Sequence, residues 1–249
     1  MENRVAERKE SQPREFRPIK SFYLKDRLCD RVWRGDKMDP GIREDLMRIA
    51  EDYVDYLEVE AEPKDVVLMG SLANYNWSGY SDFDVHVVLD FSEVNEDTEL
   101  VQKYLDAKEK VWKFRHEIMV AGFEVEMYAQ DLDHEGVSTG QFSLMRNRWV
   151  RRPDREDFRP DVDLIKRKAR VIMDQINEVG HDYDRHYSYQ DLAEKANRIM
   201  KKLKDNRQKG LDREGEYSIE NLVFKLLRRN GYIGRLLDLK SKIYDKQFR

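Results

Sequence analysis

The chain has 249 residues, 40% of them apolar, 39% charged and 11% aromatic, with a formal net charge of -4 and one cysteine, Cys29. That aromatic content argues against disorder, and a lone cysteine excludes an internal disulfide or a cysteine-based zinc site. The N-terminus alternates charges without an apolar h-region and no run of about 18 uncharged apolar residues occurs, so a cytoplasmic protein without a membrane span is expected.

In chain order, Asp39-Pro40 reads as a cap and first turn, followed by Ile42, Leu46, Met47, Ile49, Ala50, Val54 and Leu57 at helical spacing, which predicts a helix to about Val59. Asp65-VVLM and Asp82-FDVHVVLD read as Val-rich strands joined by the turn-rich GSLANYNWSGYS. Thr98 to about Arg115 predicts a helix with Leu100, Val101, Tyr104, Leu105, Ala107, Val111 and Trp112 as one apolar side. His116-EIMV and Phe123-EVEMYA flank Ala121-Gly122, a hairpin signal. Beyond Pro153 and Pro160, helical patterns cover about 162–179, 189–208, 218–229 and 232–246. The expected fold class is α+β with an all-helical rear part, divided as a front domain with an N-terminal helical segment over 1–150 and a helical domain over 151–249.

Charge is distributed unevenly. Asp82 to Glu135 holds fifteen acids and five Lys or Arg, a balance of -10, whereas Lys195 to Arg213 holds eight bases and two acids, a balance of +6. In so charged a chain, Val66 to Ser81 carries no charge at all. That stretch runs into Asp82 and Asp84, two residues apart on a strand and so on one face, with Phe83, Val85, Val87 and Leu89 on the other. Neighbouring carboxylates repel unless a cation intervenes, and hard divalent ions such as Mg²⁺ take carboxylate oxygens. Glu124 and Glu126 alternate on the later strand and offer a third acid. Upstream, Gly70 lets the backbone turn close to a ligand, and Ser71 can donate to phosphate oxygens.

Strand, Gly70-Ser71, Asp82-x-Asp84 on a second strand and apolar-Glu126-apolar on a later one resembles the polymerase-beta-like nucleotidyltransferase superfamily over about residues 40 to 130. The resemblance implies a mixed sheet with flanking helices. It implies Gly70 and Ser71 as the triphosphate-binding pair, with Asp82, Asp84 and Glu126 as catalytic ligands of Mg²⁺ or Mn²⁺; Glu124 could replace Glu126. Asn74 and Tyr75 depart from the commoner form, which has Arg and Gly there. NYNWSGYSDFD, HEGVSTG and ENLVFKLLRRNGYIG are similar to nucleotidyltransferases encoded by tailed bacteriophages.

The expected activity is transfer of a nucleoside monophosphate from an NTP, such as ATP, to an acceptor hydroxyl on RNA or another nucleotide. The Lys195 to Arg213 block is a candidate contact for a nucleic acid partner. Alternatives are a protein nucleotidylyltransferase, an antitoxin-like minimal transferase, an oligonucleotide synthase, or a catalytically silent nucleotide-binding module. His86 shares the face of Asp82 and Asp84 and is expected to be structural. Gly136-Val-Ser-Thr-Gly140 matches G-x-S-x-G, but Asp131-Leu-Asp-His-Glu before it is not the apolar strand of a nucleophile elbow, so Ser138 and Thr139 are expected to cap a turn or helix.

Overall fold

The computed structural model describes residues 17–134, 138–155, 158–185 and 187–248. The charged leader over 1–16 and Gly136-Val137 of the G-x-S-x-G match lie outside the described residues. The chain divides into two compact units, one of residues 21–159 and one of residues from 160 onward together with the N-terminal residues up to Lys20.

The first unit carries a small hairpin, β1 (Trp33–Arg34) with β2 (Lys37–Met38), then α1 (Pro40–Leu57), β3 (Asp65–Met69), β4 (Phe83–Leu89), α2 (Phe91–Val94) and α3 (Thr98–Arg115). It continues through β5 (Met119–Val120), β6 (Phe123–Asp131), β7 (Gln141–Ser143) and β8 (Arg148–Arg151). The six strands β3 to β8 make one sheet of order β5-β6-β4-β3-β7-β8, in which β4 and β6 are parallel and every other pair antiparallel. The architecture is thus α+β with a mixed sheet and a helical C-terminal region.

Local chemistry explains the predicted elements. The Asp39 carboxylate accepts from the Gly41 and Ile42 amides at 3.0 and 3.4 Å, with Pro40 in the first turn where a missing N–H costs nothing. Asp97 accepts from the Leu100 amide at 3.0 Å and starts α3 at the expected residue. Ala121 and Gly122 both take positive φ, 49° and 74°, and close the β5–β6 hairpin.

Period-two alternation places Val66, Leu68, Phe83, Val85, Val87, Leu89, Val125 and Met127 on one sheet face, where α1 supplies Leu46, Ala50, Tyr53 and Leu57 to the same core. The opposite face carries Asp84, His86, Glu126 and Tyr128, beside a separate buried cluster of Val67, Met69 and Val88.

The single apolar side expected for α3 is corrected. Only Val101, Leu105 and Trp112 are buried, while Leu100, Tyr104, Ala107 and Val111 are exposed. The pooled set covers too wide an arc for one helix face to bury against one sheet. The sequence pattern also passed over β1, β2, β7 and β8, which have two to four residues each, too few to show an alternation of their own; β1 and β2 pair only with each other, and β7 joins the sheet through the distant β3 and carries β8 with it.

The second unit contains α4 (Val162–Asp184), α5 (Tyr189–Glu214), α6 (Ile219–Arg229) and α7 (Tyr232–Gln247). Ile165, Ala169, Ile176 and Val179 of α4, Ala196 and Leu203 of α5, Leu226 and Leu227 of α6, and Leu236 and Ile243 of α7 are buried. Ser188 and Ser218 cap α5 and α6 through their hydroxyls. Among the described residues no helix is long and apolar enough to cross a membrane.

Candidate metal centre

The register of three strands builds the site. Met69 of β3 pairs with Asp84 of β4, and Asp84 pairs with Glu126 of β6, so one row across the sheet carries Asp84 and Glu126 side by side on one face. Asp82 sits in the turn immediately before β4 rather than on the strand. One carboxylate oxygen from each of Asp82, Asp84 and Glu126 lies within 4.8 Å of the other two, and all three residues are half-buried. Glu124 lies two rows away on the same face, opposite Met119, and is outside this cluster.

At an effective dielectric of about 20, two carboxylates at such a separation repel by roughly 3 kcal/mol. The protein offsets part of this at Glu126: Lys113 of α3 pairs with one oxygen, and the Tyr128 hydroxyl donates to the other. The Lys113 side chain is half exposed, which screens its contribution. Three hard anionic oxygens converging at this range form a donor set suited to Mg²⁺ or Mn²⁺.

Gly70 stands against this cluster. Its φ of 72° and ψ of -158° lie in a region that only glycine occupies readily, and a Cβ built there would fall 1.8 Å from Asp84 Oδ2. The carboxylate fills the space a side chain would take. Ser71 opens a 3-10 turn to Ala73, and its hydroxyl is hydrogen-bonded to Ser81 Oγ at 2.7 Å, while Ser81 Oγ also accepts from the Ser78 amide at 2.9 Å. Gly70-Ser71 and Asp82 are thereby tied across the uncharged turn.

Ser138 and Thr139 do not cap a helix: β7 follows them. Ser138 Oγ accepts from the Gly70 amide at 3.2 Å and donates to the Gly140 carbonyl at 2.9 Å. The buried Asn74 amide donates to Thr139 Oγ1, and its carbonyl oxygen accepts from the Tyr75 amide at 2.7 Å. The departure at Asn74 therefore anchors a loop onto the Gly70-Ser71 turn. Tyr128 was legible as sharing the face of Glu126 by period two, whereas no spacing in the sequence points Lys113 at Glu126.

His86 stacks on Tyr128, ring centroids 4.8 Å apart and 24° between planes. Burial pushes its pKa down to about 4, opposed by a hydrogen bond with Gln130 and aided by His134. Glu109, one turn before Lys113, is pushed up by burial and by Asp106.

In the helical unit the basic block lies on α5, and part of it is consumed internally. Lys195 pairs with Glu178 and Asp182, Arg207 bonds Asn221 and lies over the Phe224 ring, and Arg213 pairs with Glu214 and Glu220. Lys201, Lys202 and Lys204 are exposed. No family model, curated protein or solved structure matches this chain.

Proposed function

We propose that residues 21–159 form a Mg²⁺- or Mn²⁺-dependent nucleotidyltransferase of polymerase-beta-like type, moving a nucleoside monophosphate from an NTP to an acceptor hydroxyl. The observation that carries this reading is the convergence of Asp82, Asp84 and Glu126 beside a glycine whose missing side chain leaves room for Asp84. Asp82, Asp84 and Glu126 would hold the ions. Divalent ions so held supply charge neutralisation at the leaving pyrophosphate and acidify the acceptor hydroxyl.

The chain's own groups do the rest. Gly70 contributes by what it lacks, since its amide is already engaged by Ser138. Ser71 would contribute its hydroxyl to the phosphates, exchanging the bond it makes with Ser81. Lys113 and Tyr128 hold the Glu126 carboxylate in orientation from two sides. The exposed Lys201, Lys202 and Lys204 of α5 would serve a nucleic acid acceptor through its phosphates.

The test is incubation of the full chain with each α-labelled NTP, Mg²⁺ or Mn²⁺, and total RNA. Label should enter RNA or a soluble oligonucleotide, and Asp82→Asn with Asp84→Asn should abolish it. Label entering protein instead redirects the acceptor to a polypeptide. The Lys113–Glu126 ion pair favours a second reading, a nucleotide-binding module without turnover, because the ammonium already supplies a cation to the third acid. NTP binding with no label transfer under any condition would select it.

A further inference from the structure

Helix α3 has two apolar stripes, one buried and one exposed, the exposed one tied to the fold at Tyr104, whose hydroxyl donates to the Leu57 carbonyl at 3.1 Å. Val101, Leu105 and Trp112 face the sheet and are buried. Leu100, Tyr104, Ala107, Val111 and Phe114 follow one another at spacings of four, three, four and three, the 3.5-residue repeat of a coiled-coil seam. They are exposed: Phe114 at 91%, Leu100 at 57%, and Tyr104 and Val111 at 41% each. At 100° per residue the five occupy an arc of about 80°, centred about 120° from the buried stripe.

The charges beside the seam select its occupant. Written as heptads, Leu100, Ala107 and Phe114 take d and Tyr104 and Val111 take a; the first e position is the buried Val101, and the flanking positions that follow are Lys103 and Lys110 at g and Lys108 and Arg115 at e. All four are basic. Lys103 pairs with Glu99 and Lys108 with Glu58, while Lys110 and Arg115 carry no ion pair among the described residues. A second copy laid on this seam, parallel or antiparallel, would bring Lys and Arg against Lys and Arg. A lipid surface fits poorly, because the seam is a narrow stripe of about 80° with small Ala107 at its middle, too little apolar surface to bury in an acyl boundary. Ala107 between Tyr104 and Val111 instead makes a recess for a knob from a facing helix.

We infer that the outer face of α3 docks an amphipathic helix of another protein, one with aliphatic residues at a and d and acidic residues at e and g. The inference stands apart from the proposed transferase activity, since no seam residue belongs to the Asp82, Asp84 and Glu126 cluster.

The test uses the full chain and fluorescently labelled three-heptad peptides with Leu at a and d, one with Glu at every e and g and one with Lys there. Saturable anisotropy with the Glu peptide is expected, weaker by at least tenfold for the Lys peptide and for the double variant Leu100→Gln with Phe114→Gln. Those two side chains are exposed, so the variant should melt with the parent, and a second pair, Lys110→Glu with Arg115→Glu, should reverse the peptide preference. Equal affinity for both peptides overturns the charge-selected helix. So does sedimentation with phosphatidylserine vesicles in the absence of peptide binding, self-association abolished by the double variant, or no binding to either peptide.

Discussion

Asp84 occupies the space that Gly70 leaves empty: a Cβ on Gly70 would meet Asp84 Oδ2 at 1.8 Å. This contact ties the turn after β3 to the acid on β4, so a single methyl group at position 70 tests the geometry of the cluster without touching any of its charges. Gly70→Ala should displace the Asp84 carboxylate and strain a backbone at φ 72° and ψ -158°. A loss of about 1–3 kcal/mol in chemical denaturation is expected, with Mn²⁺ affinity falling at least tenfold at temperatures where the variant remains folded. Unchanged Mn²⁺ affinity would show that Asp84 needs no such accommodation.

Much of this relationship was legible before the fold was known. Gly70-Ser71 and the Asp82-x-Asp84 pair stand out because a charge-free stretch joins them in a highly charged chain, and hydrophobic alternation fixes which strand face each acid takes. The resemblance already points to Glu126 rather than Glu124, but alternation alone leaves both on one face, and only the pairing register sets Glu126 beside Asp84. Lys113 was hidden because it reaches the site from a helix, where sequence separation says nothing about the strand opposite. The short β7 and β8 escaped because three- and four-residue strands carry too little pattern of their own. In α3 the pattern was read correctly as helix, but its apolar residues belong to two faces, and burial alone separates them.

His86 makes a prediction about acid stability. Its folded pKa is pushed down to about 4 from an unfolded value of 6.5, chiefly by burial. The unfolded chain therefore binds a proton more readily between those values, so the His86 contribution is fully present above pH 6.5 and is lost as pH falls toward 4, by about 3 kcal/mol at the acid limit. Denaturation of the parent and His86→Gln from pH 8 to pH 4 should show the shallower decline in the variant. Parallel curves would mean that His86 takes up its proton in the folded chain as readily as in the unfolded one.

Tyr53 is a stability test remote from the acids. Its ring packs edge-on against Trp112 at 5.3 Å, its hydroxyl is buried without a hydrogen-bond partner among the described residues, and burial pushes its pKa up. Removing an unsatisfied buried hydroxyl while keeping the ring should help, so Tyr53→Phe is expected to stabilise the fold by about 1 kcal/mol. A destabilisation of similar size in urea unfolding would mean that the hydroxyl makes a bond worth keeping.

The decisive quantity is the affinity of the Asp82, Asp84 and Glu126 cluster for a divalent ion, measured by Mn²⁺ titration of the full chain with electron paramagnetic resonance detection. The three carboxylate oxygens within 4.8 Å of one another should bind Mn²⁺ in competition with Mg²⁺. The double variant Asp82→Asn with Asp84→Asn should lose that binding and the accompanying rise in melting temperature. Equal Mn²⁺ affinity and equal thermal shifts in parent and variant would contradict a metal centre at these residues.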